Sequence, residues 1–479
     1  MIIILIILLA VGLRMLVLDQ SLWLDEAISA LAARDFSYGG IIFDFLKINN
    51  HPPLFYLLLK FWGETFGFTD WVLRIPSVIL GTLTIYLVYK IAGLITEKKS
   101  TALLSSLFLA CSPILVYYSQ EVRMYILITF LALLQIYFFL NILKKPKIRD
   151  WVLFSITGCL LFFSDYITLF LFPVFILYPV LKKDSKTLVN VLLSFIPLGI
   201  LLGFWYPELS SQIAKNKEII SLFPGWQYII GGPTFKNLVV LWMKFTSGRI
   251  SFEPKLIYYL FVFTCSLPVI ISLYLALQRF RKDLLIWLWL IIPVLLGFIF
   301  SFILPVFNYF RFIYVVPALL ILNVLGIYQL KDLKLQYLLI GSIILTNLLS
   351  LGIYYSDPGQ QRENWRQAVD FIEKNGTEED IVVFEFHEPF APYRWYSKGK
   401  IDSIGATDSY FAQKSKTDQK LETALQGKTG VYYFEYLRDL SDPNRVVEQK
   451  LESDGFYKGE VYNDFHNIGQ VTYLSRSYK

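Results

Sequence analysis

The chain has 479 residues, of which 55% are hydrophobic, 17% aromatic and 17% charged. That is too apolar for an ordinary soluble enzyme and describes a polytopic membrane protein. The net charge of +6 does not argue for nucleic acid, because most Lys and Arg of the first 355 residues sit in short clusters between apolar runs, where they mark topology. Cys111, Cys159 and Cys265 all lie inside apolar runs and are expected to act as small hydrophobes, with no disulfide framework or zinc site.

Five basic clusters, EKKS at 97–100, KKPKIR at 144–149, KKDSK at 182–186, QRFRKD at 278–283 and KDLK at 331–334, separate apolar stretches and are read as cytoplasmic. With about 20 residues per span, this predicts about eleven crossings, at 2–18, 74–95, 101–117, 125–143, 151–164, 166–181, 188–205, 256–277, 284–304, 311–330 and 336–355. The stretch 151–181 is long for one helix and short for two; basic flanks on both sides require two passes that turn near Asp165. The first run lacks a basic leader and a small-residue cleavage site, so it is expected to be a retained helix with its N-terminus inside.

This topology leaves three segments outside: loops 19–73 and 206–255, and everything after about residue 356. The domains are then a transmembrane domain, 1–355, and a soluble extracytoplasmic domain, 356–479. The first loop is rich in aromatics and Leu with charges interleaved, a pattern for amphipathic helices in the membrane interface. After YYSDPGQQRENW no span-length apolar run remains. ENWRQAVDFIEKNG and NRVVEQKLESDG have helical spacing, DIVVFEF and TGVYYFEYL read as strands, and GFYKGEVYN with IGQVTYLSR as a closing hairpin, which together predict a small α/β domain.

Four stretches carry candidate chemistry. SLWLDEAIS places adjacent carboxylates, Asp25 and Glu26, just after the first span. Two acids in a semi-apolar setting raise each other's pKa and supply a proton acceptor, the property a general base needs; the plainer reading is a solvated helix boundary. In NNHPPLFYLLLKFW, Pro52 and Pro53 hold His51 extended ahead of a helix starting near Pro53. His51 is either an incidental residue at a rigid helix start or a ligand for phosphate or metal. YYSQEVRMY puts Glu121, Arg123 and Tyr125 at an outer boundary, where the two charges either pair to tie a hairpin or divide between assisting Asp25 and binding an anion. In PVFNYFRFIYVVPA, Arg311 stands among Phe, Tyr and Pro with no acidic neighbour, which suits phosphate or a lipid head group. Lys244 and Arg249, in WMKFTSGRISFEPK, are weaker candidates of the same kind, and Asp165 lies at an outer turn.

Taken in order, SLWLDEAIS, NNHPPLFYLLLKFW, WVLRIPSVILGTLTIYLVY, CSPILVYYSQEVRMYIL and NYFRFIYVVPALLIL resemble the family 39 glycosyltransferases of the polytopic C-type fold, which include protein O-mannosyltransferases and lipid A aminoarabinose transferases. The resemblance covers about residues 1–355. It implies an inverting enzyme that moves a hexosyl or pentosyl group from a polyprenyl-phosphate donor to a protein, lipid or glycan acceptor on the outer face of the cell membrane. It assigns Asp25 as the base with Glu26 beside it, Glu121 as a second acid, and Arg123 and Arg311 to the donor phosphate; the reading of their own stretches adds Lys244 and Arg249 as weaker phosphate ligands and His51, Tyr125 and Asp165 as further site residues. No cofactor is assigned. A divalent metal held by His51, Asp25 and Glu121 stays open, although their spacing fits no recognised metal motif. A ligase or polymerase using lipid-linked oligosaccharides, and a glycolipid transporter, are the competing classes.

Overall fold

The computed structural model describes residues 1–222, 231–409 and 411–476; residues 223–230 of the second predicted outer loop lie outside them. The chain forms two compact units. One comprises Met1–Leu18 and Phe36–Ser356, and the other Asp19–Asp35 and Asp357–Lys479.

The first unit is helical, and its surface carries what a soluble protein hides. Leu5, Leu8, Ile79, Leu83, Ile200, Phe204, Leu260, Phe263, Leu338 and Leu345 are all exposed on apolar helices, the arrangement expected where lipid replaces water as the outer contact. Among the described residues six helices are long and apolar enough to cross a membrane: Asp70–Thr96, Tyr125–Lys144, Ser185–Glu218, Lys255–Arg279, Tyr309–Ile327 and Leu333–Ser356. The pair Lys99–Ala110 and Pro113–Ser119, bent by 60°, makes a seventh if counted as one span. Ile2–Met15, Tyr166–Lys182 and Leu284–Phe300 are apolar but shorter. Each of the eleven predicted stretches falls on helix, yet length and composition do not establish eleven crossings.

The apolar stretch of Tyr309–Ile327 is 89% buried and lies at the centre of this unit. Its Gly326 is a contact point: a Cβ there would sit 1.8 Å from the Ser272 carbonyl oxygen of the neighbouring helix. Gly81 does the same on Asp70–Thr96, where a Cβ would meet Ser119 Oγ at 2.2 Å. Without a hydrophobic driving force in lipid, such small-residue contacts let helix backbones approach and gain dispersion energy.

The second unit is an α/β domain with a five-stranded sheet. Its strands are β1 (Asp380–Phe384), β2 (Asp402–Gly405), β3 (Gly430–Phe434), β4 (Tyr457–Tyr462) and β5 (Val471–Ser475). The order is β2-β1-β3-β5-β4; β1 runs parallel to β2 and β3, while β5 pairs antiparallel with β3 and β4. Because β1 and β3 are covered on both faces they read as unbroken apolar runs. Val382, Phe384 and Phe434 pack with Trp365, Val369 and Ile372 on one face. Ile381, Val383 and Val431 pack with Leu421, Val447 and Leu451 on the other.

One carboxyl is enclosed here. Glu385, directly after β1, has no exposed surface. The Tyr433 hydroxyl donates to its Oε1, and its Oε2 has no hydrogen-bond partner among the described residues. Burial pushes its pKa up to about 9. With the folded value above the unfolded one, the stabilisation is complete below about pH 4.3 and declines as pH rises towards the folded pKa. The thermal midpoint of the full chain in detergent should therefore fall between about pH 6 and 8.5, and Glu385→Gln should flatten that slope. An unchanged slope in the variant would show that Glu385 is not the group responsible.

Candidate functional site

The helical line breaks where the fourth span is about to start. Pro113 has no N–H to continue the helix that ends at Ala110, and after the short helix Pro113–Ser119 the backbone of Gln120–Met124 is non-helical and buried. Such backbone survives at membrane depth only where protein or an internal cavity surrounds it. Here neighbouring helices supply partners. Gln120 Nε2 donates to the carbonyls of Arg14 (3.0 Å) and Leu16 (2.5 Å), its Oε1 accepts from Tyr354 (2.9 Å), and Ser77 Oγ donates to the Glu121 carbonyl (2.6 Å). The Glu121 and Arg123 side chains are presented from this turn, 1% and 4% exposed.

His51 meets Arg123 from the loop ahead of Leu54–Phe66, whose N-cap is Pro53. Arg123 Nη2 and His51 Nε2 are 3.0 Å apart. A guanidinium can only donate, so Nε2 accepts and the imidazole proton is on Nδ1, which faces Asp165 Oδ2 at 3.9 Å. Burial, then the charges of Arg123 and Arg311, hold the His51 pKa well below its usual value, in keeping with a neutral ring. Asp165 is fixed in turn: it lies between helix Ile148–Ser164 and the 3₁₀ turn Tyr166–Leu171, and its Oδ1 accepts from the Ile167 amide at 3.1 Å. Burial raises its pKa, opposed by Arg311, the Ile167 amide and Arg123.

Arg311 completes the group from the 3₁₀ turn Tyr309–Val315. Its charge acts on both His51 and Asp165, yet its buried Nε has no hydrogen-bond partner among the described residues. Tyr125 forms an aromatic wall: Arg123 lies 5.9 Å from its ring centroid, and its ring packs against Tyr118 at 5.3 Å and Phe310 at 5.1 Å. The fold thus brings His51, Arg123, Tyr125, Asp165 and Arg311 together, with Glu121 on the same turn as Arg123.

The other two predicted phosphate ligands are placed differently. Lys244 Nζ donates to the carbonyls of Arg249 (3.0 Å) and Ile250 (2.8 Å) and contacts Tyr258 Oη (3.3 Å). These contacts match its three protons, so the side chain closes its own loop, and burial pushes its pKa down to about 8. The Arg249 guanidinium stacks 4.8 Å over the Tyr117 ring.

Asp25 and Glu26 belong to the second unit, at the first turn of helix Leu24–Asp35. Successive helical residues point about 100° apart, and the two carboxylates diverge accordingly. Glu26 has no exposed surface, its Oε2 lies 4.0 Å from Arg362 Nε, and it accepts from the Trp23 amide at 3.4 Å. Asp25 is half-buried. No group of three or more His, Cys, Asp or Glu side chains arranged to hold a metal occurs among the described residues.

The sequence reading passed over Gln120, Tyr118 and Phe310, although all three stand inside or beside the stretches it singled out, and Arg362. The only signal for Arg362 was its place in QQRENW, next to a tryptophan at the end of the apolar region.

Residues 50–208 match the model of the dolichyl-phosphate-mannose-protein mannosyltransferase family; this segment holds His51, Glu121, Arg123, Tyr125 and Asp165. An uncharacterized protein of Aquifex aeolicus is 24% identical over 360 residues, 70% of this chain, and the chain spans 65% of that relative's length. Among solved structures, the chain resembles ArnT from Cupriavidus metallidurans bound to undecaprenyl phosphate, with TM-score 0.61 and 12% identity over 99% of this chain and 98% of that one. It also resembles the oligosaccharyltransferase AglB from Archaeoglobus fulgidus in complex with an inhibitory peptide and a dolichol-phosphate, with TM-score 0.53 and 13% identity over 98% and 73% of the two chains. The chain is an integral membrane protein with the polytopic C-type glycosyltransferase fold, and its residues 50–208 are similar to the dolichyl-phosphate-mannose-protein mannosyltransferase family.

Proposed function

We propose that this protein is an inverting glycosyltransferase that moves a sugar from a polyprenyl-phosphate carrier to a hydroxyl or amine acceptor at the outer face of the membrane. The observation that carries the proposal is Arg311: a guanidinium whose buried Nε has no hydrogen-bond partner among the described residues, beside Arg123 and a neutral His51. A buried donor left unsatisfied costs about 1–3 kcal/mol, and a phosphate oxyanion is the ligand that geometry and charge together favour. The undecaprenyl phosphate and dolichol-phosphate bound in the two similar structures support the same ligand class.

In this reading an acceptor oxygen or nitrogen attacks the anomeric carbon as the bond from that carbon to the phosphate oxygen breaks. The electron pair stays on the phosphate. The leaving monoester has a second pKa of about 6 and departs without a strong general acid. Arg123 and Arg311 stabilise the charge that grows on it. Asp25 accepts the acceptor's proton, and direct displacement inverts the anomeric configuration. Asp165 and His51 hold Arg123 in place, while Lys244, whose donors are spent on its own loop, has no part in the transfer.

Two measurements test this. Radiolabelled sugar from a panel of polyprenyl-phosphate monosaccharides should pass to membrane extracts with the unaltered protein and not with Asp25→Asn at equal expression. Transfer that persists in the variant would remove Asp25 from the mechanism, and transfer only from an oligosaccharide donor would make the protein a ligase. Separately, Arg311→Met should raise the thermal midpoint of the ligand-free protein, by about 1–3 kcal/mol in stability, while abolishing transfer. A lowered midpoint would mean that Arg311 is already satisfied by the protein.

A further inference from the structure

The second carboxylate of the acidic pair has a partner from far along the chain. Glu26 and Arg362 are both buried, with side chains 0% and 1% exposed. Glu26 stands at the third position of its helix and reaches back to the Trp23 amide, the reciprocal half of a capping box, which fixes where the helix starts. The segment before it is strapped by the same part of the C-terminal chain. The Arg362 amide donates to Gln20 Oε1 (2.8 Å) and the Arg366 amide to Ser21 Oγ (3.1 Å). Arg366 pairs with Asp19 at 2.9 Å, the Leu22 amide donates to Tyr396 Oη at 2.6 Å, and Leu24 packs into the core around Trp365. At the far end of the helix Arg34 stacks 4.7 Å over Trp395.

We infer that Arg362 is a positioning residue for Asp25, and that Glu26 is its electrostatic partner rather than a second proton acceptor. This rests on the glycosyltransferase reading for the role of Asp25. The C-terminal segment then forms the seat of the helix that carries the base. Removing one member of a buried ion pair leaves an uncompensated charge, whereas replacing both with neutral groups of similar volume is often tolerated. That asymmetry separates a positioning pair from a proton acceptor.

The test compares Glu26→Gln, Arg362→Gln and the double variant, each in full-length protein in detergent. Each single variant should lower kcat about 10- to 100-fold, with KM for the lipid donor changed much less, and the double variant should recover most of the loss. If Glu26 is itself the proton acceptor, the double variant will stay as inactive as Asp25→Asn, and the inference fails. A second readout does not need transfer. With Asp25→Cys as the reporter, the maleimide labelling rate should change when Arg362→Gln is added and return towards its starting value when Glu26→Gln is added as well. A labelling rate indifferent to both substitutions overturns the positioning role. A labelling response, together with no transfer by the protein that keeps Asp25, keeps the positioning of residue 25 and rejects the glycosyltransferase reading instead.

Discussion

A non-helical turn inside an apolar bundle needs partners for the polar groups it buries, and bonds to other helices tie down the turn Gln120–Met124. Gln120 binds carbonyls at the end of Ile2–Met15 and a tyrosine of Leu333–Ser356; Ser77 of Asp70–Thr96 binds the Glu121 carbonyl. These bonds hold the break open. A continuous helix through the same residues would satisfy its own backbone and point Arg123 elsewhere, so the placement of Arg123 against His51 depends on them.

From that turn the electrostatics run outward in one chain. Asp165 faces the proton-bearing nitrogen of His51, His51 accepts from Arg123, and Arg311 stands beside both with its buried Nε unpaired among the described residues. Taking charge out of water without full pairing is unfavourable. A site kept in that condition is preorganised for an anion, because its donors need no reorganisation when one arrives. In the other unit the balance is reversed: Glu26 is paired with Arg362 and enclosed, while Asp25, its neighbour, is half-buried. A carboxylate already committed to an arginine is poorly suited to take a proton, and one that keeps access to solvent is better suited.

Much of this was legible in the sequence because membrane proteins expose their constraints there. The apolar runs fell on helices, Asp165 marked the turn between two short ones, Pro53 marked the start of Leu54–Phe66, and the buried strands β1 and β3 showed as unbroken apolar runs. The chemistry-bearing motifs gathered His51, Arg123, Tyr125, Asp165 and Arg311. Less was legible wherever distant segments decide the outcome. Edge strand β2, with its exposed first residues, carried no apolar run to announce it. Nothing local told that residues 19–35 group with the C-terminal unit, that Glu26 has a partner at position 362, or that Lys244 turns onto its own loop. Periodicity reports which face of an element is buried; it does not report what that face meets.

The central claim is that Arg123 and Arg311 hold the phosphate of a lipid-linked sugar. The most direct test is an electron cryo-microscopy map of the full-length protein with a polyprenyl-phosphate sugar bound. The account predicts phosphate density within hydrogen-bonding distance, about 3 Å, of both guanidinium groups, with Arg311 Nε among the donors. A phosphate bound away from both arginines, with Arg311 unchanged, would contradict it.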